Sequence, residues 1–262
     1  MIPAAFFSPK GLFAMSALFR RFALAVLLAG AVAAPTRAAD PLTPEQKQAV
    51  EAVIHDYFLK NPEFMVEVLR AAEAKIKQDK AADARQAIAT YSKELFADAT
   101  SPVGGNPEGD VTIVEFFDYR CPYCKQVEPA LEALVKEDPK IRVVYKEFPV
   151  LGAESVYATR MALAAAKQDK YFAFHNAMMS TTGQITEKVI LQVAATAGID
   201  LAKAKADMNA APINEIIRHN YTLAEALDIN GTPAFIIGDV LVPGATDMDG
   251  LKKLVADARK PG

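Results

Sequence analysis

The stretch VEFFDYRCPYCKQ, residues 114–126, joins an apolar run to an amphipathic segment, and it holds both cysteines of the chain, Cys121 and Cys124. The run VTIVEFF (111–117) is β-branched and aromatic, which predicts a buried strand. The segment PYCKQVEPALEALVKE that follows is amphipathic and predicts a helix. The two cysteines are therefore expected where a strand ends and a helix begins.

The sequence after this stretch predicts the rest of a sheet. IRVVYKEFPV (141–150) indicates a second strand, parallel to the first through a right-handed crossover. Residues 153–226 are Ala-rich and helical in pattern, and in residues 230–245 the runs AFII and VLV predict two strands joined by a turn at Gly238-Asp239. A last helix is expected at 247–258. The order βαβ, helical excursion, ββα predicts an α/β protein, a thioredoxin fold with an inserted helical subdomain.

Three interpretations of the cysteine pair can be compared. A structural disulfide would close a loop of only two intervening residues, which stabilises little. A closed zinc site needs four ligands, and the chain has no second cysteine pair. The histidines, His55, His175 and His219, are scattered and are expected to be surface or packing residues. No metal or cofactor is predicted.

A redox role for the pair has a physical mechanism. Cys121 at a helix N-terminus would meet free N–H groups and the positive end of the helix dipole, which stabilise a thiolate. Pro122 suits a first-turn position, where its missing N–H costs nothing. Cys124, one turn along, can attack a mixed disulfide formed at Cys121. The sequence therefore predicts Cys121 as the nucleophile and Cys124 as the resolving thiol.

Two further elements are expected beside the cysteines. The bond between Thr232 and Pro233 precedes a strand, and the βαβ context favours a cis bond over a trans turn proline, with the Thr232 backbone facing a substrate. Glu115 and Lys146 are charged residues in predicted buried strands and need partners. Adjacent parallel strands would allow these two side chains to pair beneath the cysteines, with the alternative that either faces solvent.

The first 39 residues differ from the rest of the chain. They contain no acidic residue, and Arg20 and Arg21 precede FALAVLLAGAVAA (22–34), an apolar run of 13 residues. That length fits a signal peptide better than a membrane anchor, and small residues favour cleavage near Ala38. The remaining chain has 25 basic and 32 acidic residues, a net charge near −7 that gives no indication of nucleic-acid binding. We expect an exported protein, with the periplasm as its compartment.

The segment before the catalytic region predicts helices. Thr43 and Gln46 form a T-x-x-Q capping box, and apolar residues recur at helical spacing in 43–60 and again in 64–76. Residues 40–76 are expected to be a helical oligomerisation region, with packing on the main domain as the alternative. Residues 77–100 are predicted to be a polar helical linker, and 101–262 the catalytic domain, with its helical insertion at about 153–226.

The chain resembles the DsbA family of periplasmic thiol–disulfide oxidoreductases. The motifs that carry the resemblance are E-F-F at 115–117, C-P-Y-C at 121–124, Y-K-E-F-P at 145–149 and G-T-P at 231–233. It implies an exposed nucleophile at Cys121, a buried resolving thiol at Cys124, a substrate-binding loop at Thr232 and Pro233, and a buried pair at Glu115 and Lys146. Tyr123 stands where the prototype oxidase has His, which argues against a very strong oxidant.

HDYFLKNPEFMVEVL (55–69) is similar to the N-terminal extension of suppressor of copper sensitivity protein C (ScsC) and related exported proteins. This resemblance implies an oligomer, with a trimer favoured through residues 42–76, and disulfide isomerase or reductase activity on misfolded or incompletely oxidised exported proteins. An isomerase implies a membrane-bound thiol reductase as partner. The alternatives are a monomeric dithiol oxidase and a stress protein that binds Cu(I) through the same thiolates.

Overall fold

The computed structural model describes residues 42–260, so the predicted leader of residues 1–39 lies outside the described range. The chain divides into two compact units, with the boundary between Asn61 and Pro62. No helix within residues 42–260 is both long and apolar enough to cross a membrane.

The first unit contains helix α1 (Pro44–Lys60). The predicted capping box is confirmed, because the Gln46 N–H donates to Thr43 Oγ1 (3.3 Å) and the Thr43 N–H donates to Gln46 Oε1 (2.9 Å). None of the residues of α1 is buried, and the side chains of Val50, Val53 and Ile54 are exposed. The helix therefore has an apolar stripe available for packing.

The second unit contains nine helices and five strands among its described residues. They are α2 (Pro62–Thr90), α3 (Ser92–Phe96), β1 (Val103–Gly105), β2 (Val111–Phe117), α4 (Pro122–Glu137), β3 (Ile141–Glu147), α5 (Ala153–Ala166), α6 (Tyr171–Ser180), α7 (Glu187–Thr196), α8 (Leu201–Asp207), α9 (Ala211–Ala226), β4 (Ala234–Ile237), β5 (Val240–Pro243) and α10 (Met248–Ala258).

The strands form one sheet in the order β1-β3-β2-β4-β5. β2 and β3 are parallel and joined by α4, and β4 and β5 form an antiparallel hairpin, both as predicted. β4 also pairs antiparallel with β2. Gly238, at a φ of 63°, begins the two-residue turn between β4 and β5. The helices α5 to α9 lie between β3 and β4 along the chain.

Two elements differ from the sequence-based expectation. α2 is one continuous helix of 29 residues that crosses the predicted boundary between the oligomerisation region and the linker at residue 76. β1 is a strand that the sequence analysis does not predict, and its Val103 pairs antiparallel with Val144 at the edge of the sheet. A Cβ on Gly104 would lie 3.0 Å from the Tyr145 ring, so a close tertiary contact rather than local propensity places this short strand.

Residues of β2 alternate between two apolar cores. Ile113 and Phe117 pack with α4, α10 and the inserted helices, whereas Val114 and Phe116 pack with the end of α2, α3 and α9. Because side chains alternate along a strand, Glu115 faces the same side as Ile113 and Phe117. That side also holds the helix that carries the two cysteines.

Candidate active site

The two cysteines lie where β2 gives way to α4. Cys121 is the N-cap of α4, with extended backbone, and its N–H donates to the Asp118 carbonyl (3.0 Å). Pro122 occupies the first turn, as predicted. The first N–H groups of a helix have no intrahelical acceptor, so those of Tyr123 and Cys124 can interact with the Cys121 sulfur.

Both cysteines are free thiols, and both are largely enclosed. Cys121 exposes 3% of its surface and Cys124 none, so the expectation of an exposed nucleophile is corrected. The physical reason is the loop before β4, because the Cys121 Sγ lies 3.1 Å from the Thr232 carbonyl oxygen. Tyr123, in contrast, exposes 59% of its surface beside the pair.

The loop before β4 has the predicted geometry. The Thr232–Pro233 peptide bond is cis, and Pro233 is buried while Thr232 is partly exposed. The Pro233 carbonyl accepts a hydrogen bond from the Gly244 N–H (2.8 Å). A backbone acceptor next to the nucleophilic sulfur is thus held in place by the end of β5.

The two thiols differ strongly in acidity. A hydrogen bond from Cys124, together with the backbone N–H groups of Tyr123 and Cys124, lowers the pKa of Cys121 to about 6 against the opposing effect of burial. Burial, the hydrogen bond to Cys121 and the charge of Glu115 raise the pKa of Cys124 far above its ordinary value. One sulfur is therefore a thiolate at neutral pH and the other a thiol.

We expect an absorbance titration of the reduced protein to give one thiolate with a midpoint near pH 6 and no second ionisation below about pH 9. Cys124→Ala removes the hydrogen-bond donor and should move the midpoint upward. Cys124→Ser is the matched control, because its hydroxyl still donates, and should move the midpoint less. Equal midpoints in both variants would contradict the assigned cause.

Asp118 organises the backbone around the cysteines, a role that the sequence analysis missed. Its Oδ1 accepts from the Arg120 N–H (2.7 Å) and the Ser155 hydroxyl (2.8 Å), and its Oδ2 accepts from the Val150 (2.9 Å) and Leu151 (3.0 Å) N–H groups. The side chain is fully buried. It ties the loop before α4 to the loop after β3, and a lone acid directly after a buried strand was the available signal.

Lys125 is a second residue that the sequence analysis did not identify. Its Nζ donates to the backbone carbonyls of Met178, Met179 (3.3 Å) and Thr181 (2.9 Å) at the end of α6. Burial lowers the pKa of Lys125 to about 8. The helical insertion is thereby attached to the first turn of α4, next to Cys124.

The predicted pairing of Glu115 with Lys146 is wrong. Glu115 sits opposite Tyr145 in the parallel register, and Lys146 sits opposite Phe116. The two charged side chains therefore face opposite sides of the sheet. Glu115 lies on the cysteine side, where both of its carboxylate oxygens are buried without a hydrogen-bond partner.

Lys146 has a different partner. Its Nζ lies 2.7 Å from Asp98 Oδ2 and donates to the Glu94 carbonyl (2.7 Å), at the end of α3. The Lys146 side chain is fully buried and that of Asp98 is 12% exposed. The pair joins the segment before β1 to the sheet, on the face away from the cysteines.

The candidate residues therefore fall into two groups. Six of the eight predicted site residues form one cluster, in which Pro122, Tyr123, Thr232 and Pro233 lie beside Cys121 and Cys124. Glu115 lies on the same face of the sheet as the cysteines, whereas Lys146 lies on the opposite face. Within residues 42–260, no group of three or more His, Cys, Asp or Glu side chains is arranged to hold a metal ion.

Family models match two parts of the chain. The model described as a DSBA-like thioredoxin domain matches residues 112–256, more than half of the sequence. The model described as the copper resistance protein ScsC N-terminal domain matches residues 46–79. The first match contains the C-P-Y-C and G-T-P motifs, and the second contains the stretch HDYFLKNPEFMVEVL at residues 55–69.

Solved structures resemble the chain over both parts. A thioredoxin-like oxidoreductase from Silicibacter pomeroyi is 45% identical, with a TM-score of 0.64 over 65% of this chain and 98% of that one. A linker-deletion mutant of Proteus mirabilis ScsC is 28% identical, with a TM-score of 0.65 over 85% of this chain and 98% of that one. The second similarity extends into the N-terminal helices.

Curated relatives include the thiol:disulfide interchange protein DsbA of Bordetella pertussis, 29% identical over 55% of this chain and 71% of that protein. The chain also matches the Na⁺/H⁺ antiporter NhaA 3 of Salinispora tropica at 26% identity over 60% of its length. It spans only 24% of that antiporter.

Proposed function

The chain belongs to the family of DSBA-like thioredoxin domains, and from this premise we propose that it is a thiol–disulfide oxidoreductase whose dithiol is Cys121 and Cys124. The observation that carries the proposal is the position of Cys121 as the N-cap of α4, 3.1 Å from the Thr232 carbonyl oxygen, where the free backbone N–H groups of the helix favour a thiolate. A thiolate at neutral pH is both a nucleophile and a good leaving group. The Thr232 carbonyl beside it offers a hydrogen-bond acceptor for an extended substrate backbone.

The reaction begins when the Cys121 thiolate attacks one sulfur of a substrate disulfide. A bond forms between Cys121 and that sulfur, and the other substrate sulfur leaves with the electron pair of the broken bond and takes a proton from water. Cys124, after losing its proton, then attacks Cys121 and releases the remaining substrate thiolate. The substrate disulfide gains two electrons and the protein dithiol loses two.

Within this chemistry we assign the protein to disulfide isomerisation or reduction of exported proteins. The leader predicted in residues 1–39 supports a periplasmic location, where substrate disulfides persist. Tyr123, in place of the prototype oxidase's His, also favours this direction. An isomerase must be kept reduced, which calls for a membrane-bound thiol reductase as donor. A monomeric dithiol oxidase is the alternative within the class.

Association of identical copies through the N-terminal helices would suit an isomerase. The stripe of exposed apolar side chains on α1 supports it, as does the ScsC N-terminal match to residues 46–79. A multimer, with a trimer favoured, would place several dithiols around one substrate and raise their effective concentration. Binding of Cu(I) by the same two thiolates is the alternative from another class.

A charge placed on the apolar stripe tests the assembly and the isomerase role together. We expect Val53→Glu to convert the multimer to a monomer in light scattering, because Val53 is 69% exposed on that stripe. Isomerase activity on a scrambled multi-disulfide substrate should then fall by roughly tenfold.

Gln48→Glu is the matched control for this variant, since it adds the same charge to the opposite face of α1 and should change neither mass nor activity. A monomeric native protein would refute the multimer and favour the oxidase. Exchange that is absent while Cu(I) still binds would favour the copper-binding role.

A further inference from the structure

A buried chain of hydrogen bonds runs from the end of β3 toward the cysteines. It starts at Glu147, whose Oε1 accepts from the hydroxyls of Tyr119 (3.0 Å) and Tyr171 (2.9 Å). Glu147 Oε2 accepts from the Thr159 hydroxyl (2.7 Å). Glu147 is fully buried, and burial raises its pKa to about 8 despite the three hydroxyl donors.

His175 continues this chain from α6. Its Nδ1 lies 3.2 Å from the Tyr119 hydroxyl oxygen, and its Nε2 lies 3.3 Å from Glu128 Oε1. The imidazole is fully buried, stacks on Tyr171 and meets the ring edges of Phe117 and Tyr145. These contacts fix the ring, so both nitrogens point along the chain.

Glu128 brings the chain to the cysteines. It lies four residues after Cys124 in α4, so the two side chains are neighbours on the buried face of the helix. Its second oxygen, Oε2, is buried without a hydrogen-bond partner, as are both oxygens of Glu115. Burial, followed by the charges of Glu128 and Cys121, raises the pKa of Glu115 well above its ordinary value.

This chain of hydrogen bonds has two arrangements that contain the same number of protons and differ in the direction of the bonds. In the first, Glu147 is protonated and donates to Tyr119, Tyr119 donates to Nδ1, and Nε2–H donates to a Glu128 carboxylate. In the second, Tyr119 donates to a Glu147 carboxylate, Nδ1–H donates to Tyr119, and a protonated Glu128 donates to Nε2. Reversing three hydrogen bonds converts one into the other and moves a negative charge between Glu128 and Glu147.

We propose that His175 is a positioning residue that, through this reversal with Tyr119 and Glu147, switches Glu128 between a neutral acid and a carboxylate during disulfide exchange. The inference rests on the proposed function, because the switch would act when Cys124 loses its proton during disulfide exchange. The other titratable groups that face the chain are Asp118 of the loop before α4, Glu115 of β2, Tyr145 of β3, Tyr171 of α6 and the two cysteines.

The two steps of exchange need opposite states of Glu128. In the reduced protein the Cys121 thiolate is favoured when the nearby carboxyl is neutral and the negative charge lies on Glu147. In the mixed disulfide Cys121 carries no charge, so the charge returns to Glu128. That carboxylate takes the proton of Cys124, whose sulfur forms a bond to Cys121 while the substrate sulfur leaves with its electron pair and is protonated by water.

Tyr119→Phe tests the switch because it removes the hydroxyl that links Glu147 to His175 and keeps the ring. Tyr171→Phe is the matched control, since it removes a hydroxyl from the same Glu147 oxygen and leaves the path to His175 intact. An aromatic disulfide that releases a coloured thiolate at each step resolves the two rates. We expect Tyr119→Phe to slow the second release about tenfold and the first by less than about twofold. Tyr171→Phe should change neither rate.

The second measurement is the ¹⁵N spectrum of the His175 ring in chemically reduced and chemically oxidised protein at neutral pH. The switch predicts Nδ1–H in the reduced state and Nε2–H in the oxidised state, in the native protein and in Tyr171→Phe but not in Tyr119→Phe. One tautomer in both states of the native protein, or equal behaviour of the two variants, overturns the inference. Absence of a second thiolate release from the native protein refutes the proposed function instead, while the ring spectrum still tests the switch.

Discussion

A Cys121→Ser variant is expected to lose at least about a thousandfold of thiol–disulfide exchange activity. A serine hydroxyl is not ionised at neutral pH, whereas the helix N-terminus and the Cys124 donor hold the pKa of the Cys121 thiol at about 6. Reduction of an insulin-type disulfide substrate, followed by turbidity, measures the loss.

Cys124→Ser is the control that separates the two steps. Cys121 keeps its place at the N-cap of α4 and can still attack, but no thiol remains to release the substrate. Mixed disulfides should therefore accumulate on Cys121 and be visible by mass spectrometry. If Cys121→Ser retained exchange, or if the mixed disulfides formed on Cys124 instead, the assigned roles of the two thiols would be refuted.

The second large effect is expected far from the cysteines, at the ion pair between Lys146 and Asp98. Asp98→Ala leaves the Lys146 ammonium buried with only the Glu94 carbonyl as its acceptor. Removing one partner of a buried pair should lower the free energy of unfolding by about 3 kcal/mol. Urea denaturation followed by circular dichroism measures the change.

A double-mutant cycle distinguishes this cause from loss of the Asp98 contacts to Thr100 and Ser101. In a Lys146→Met background no buried ammonium remains, so Asp98→Ala should lower the free energy of unfolding much less than it does in the native protein. Asp257 forms an exposed ion pair with Lys253, so Asp257→Ala should leave the midpoint of urea denaturation almost unchanged. Equal costs of Asp98→Ala in both backgrounds would refute the pairing.

The ion pair between Lys146 and Asp98 also makes the free energy of unfolding depend on pH. Burial acts to raise the pKa of Asp98, but hydrogen bonds from Lys146 and Thr100 outweigh it and lower the pKa below its ordinary value. The unfolded chain therefore binds this proton at a higher pH than the folded protein does. The contribution of Asp98 is complete above about pH 4, the unfolded value, and is lost as the pH falls through the lowered folded value.

The position and chemistry of the dithiol follow from neighbouring residues in the sequence. A buried strand, a helix with Pro122 in its first turn and the cysteine spacing are encoded by neighbouring residues, so Cys121 had to lie at a helix N-terminus. The cis bond before Pro233 and the turn at Gly238 were likewise predicted from short motifs. These features depend on local backbone geometry, which a few adjacent residues specify.

The pairing of the buried charges, in contrast, depends on how distant segments pack together. The register that places Glu115 opposite Tyr145 sends Lys146 to the other face, and a shift of one residue would have reversed that result. Lys146 finds Asp98, 48 residues earlier, and His175 meets Tyr119, 56 residues before it. Such partners are fixed by strand register and by helix packing between distant segments, and no local pattern of residue types contains that information.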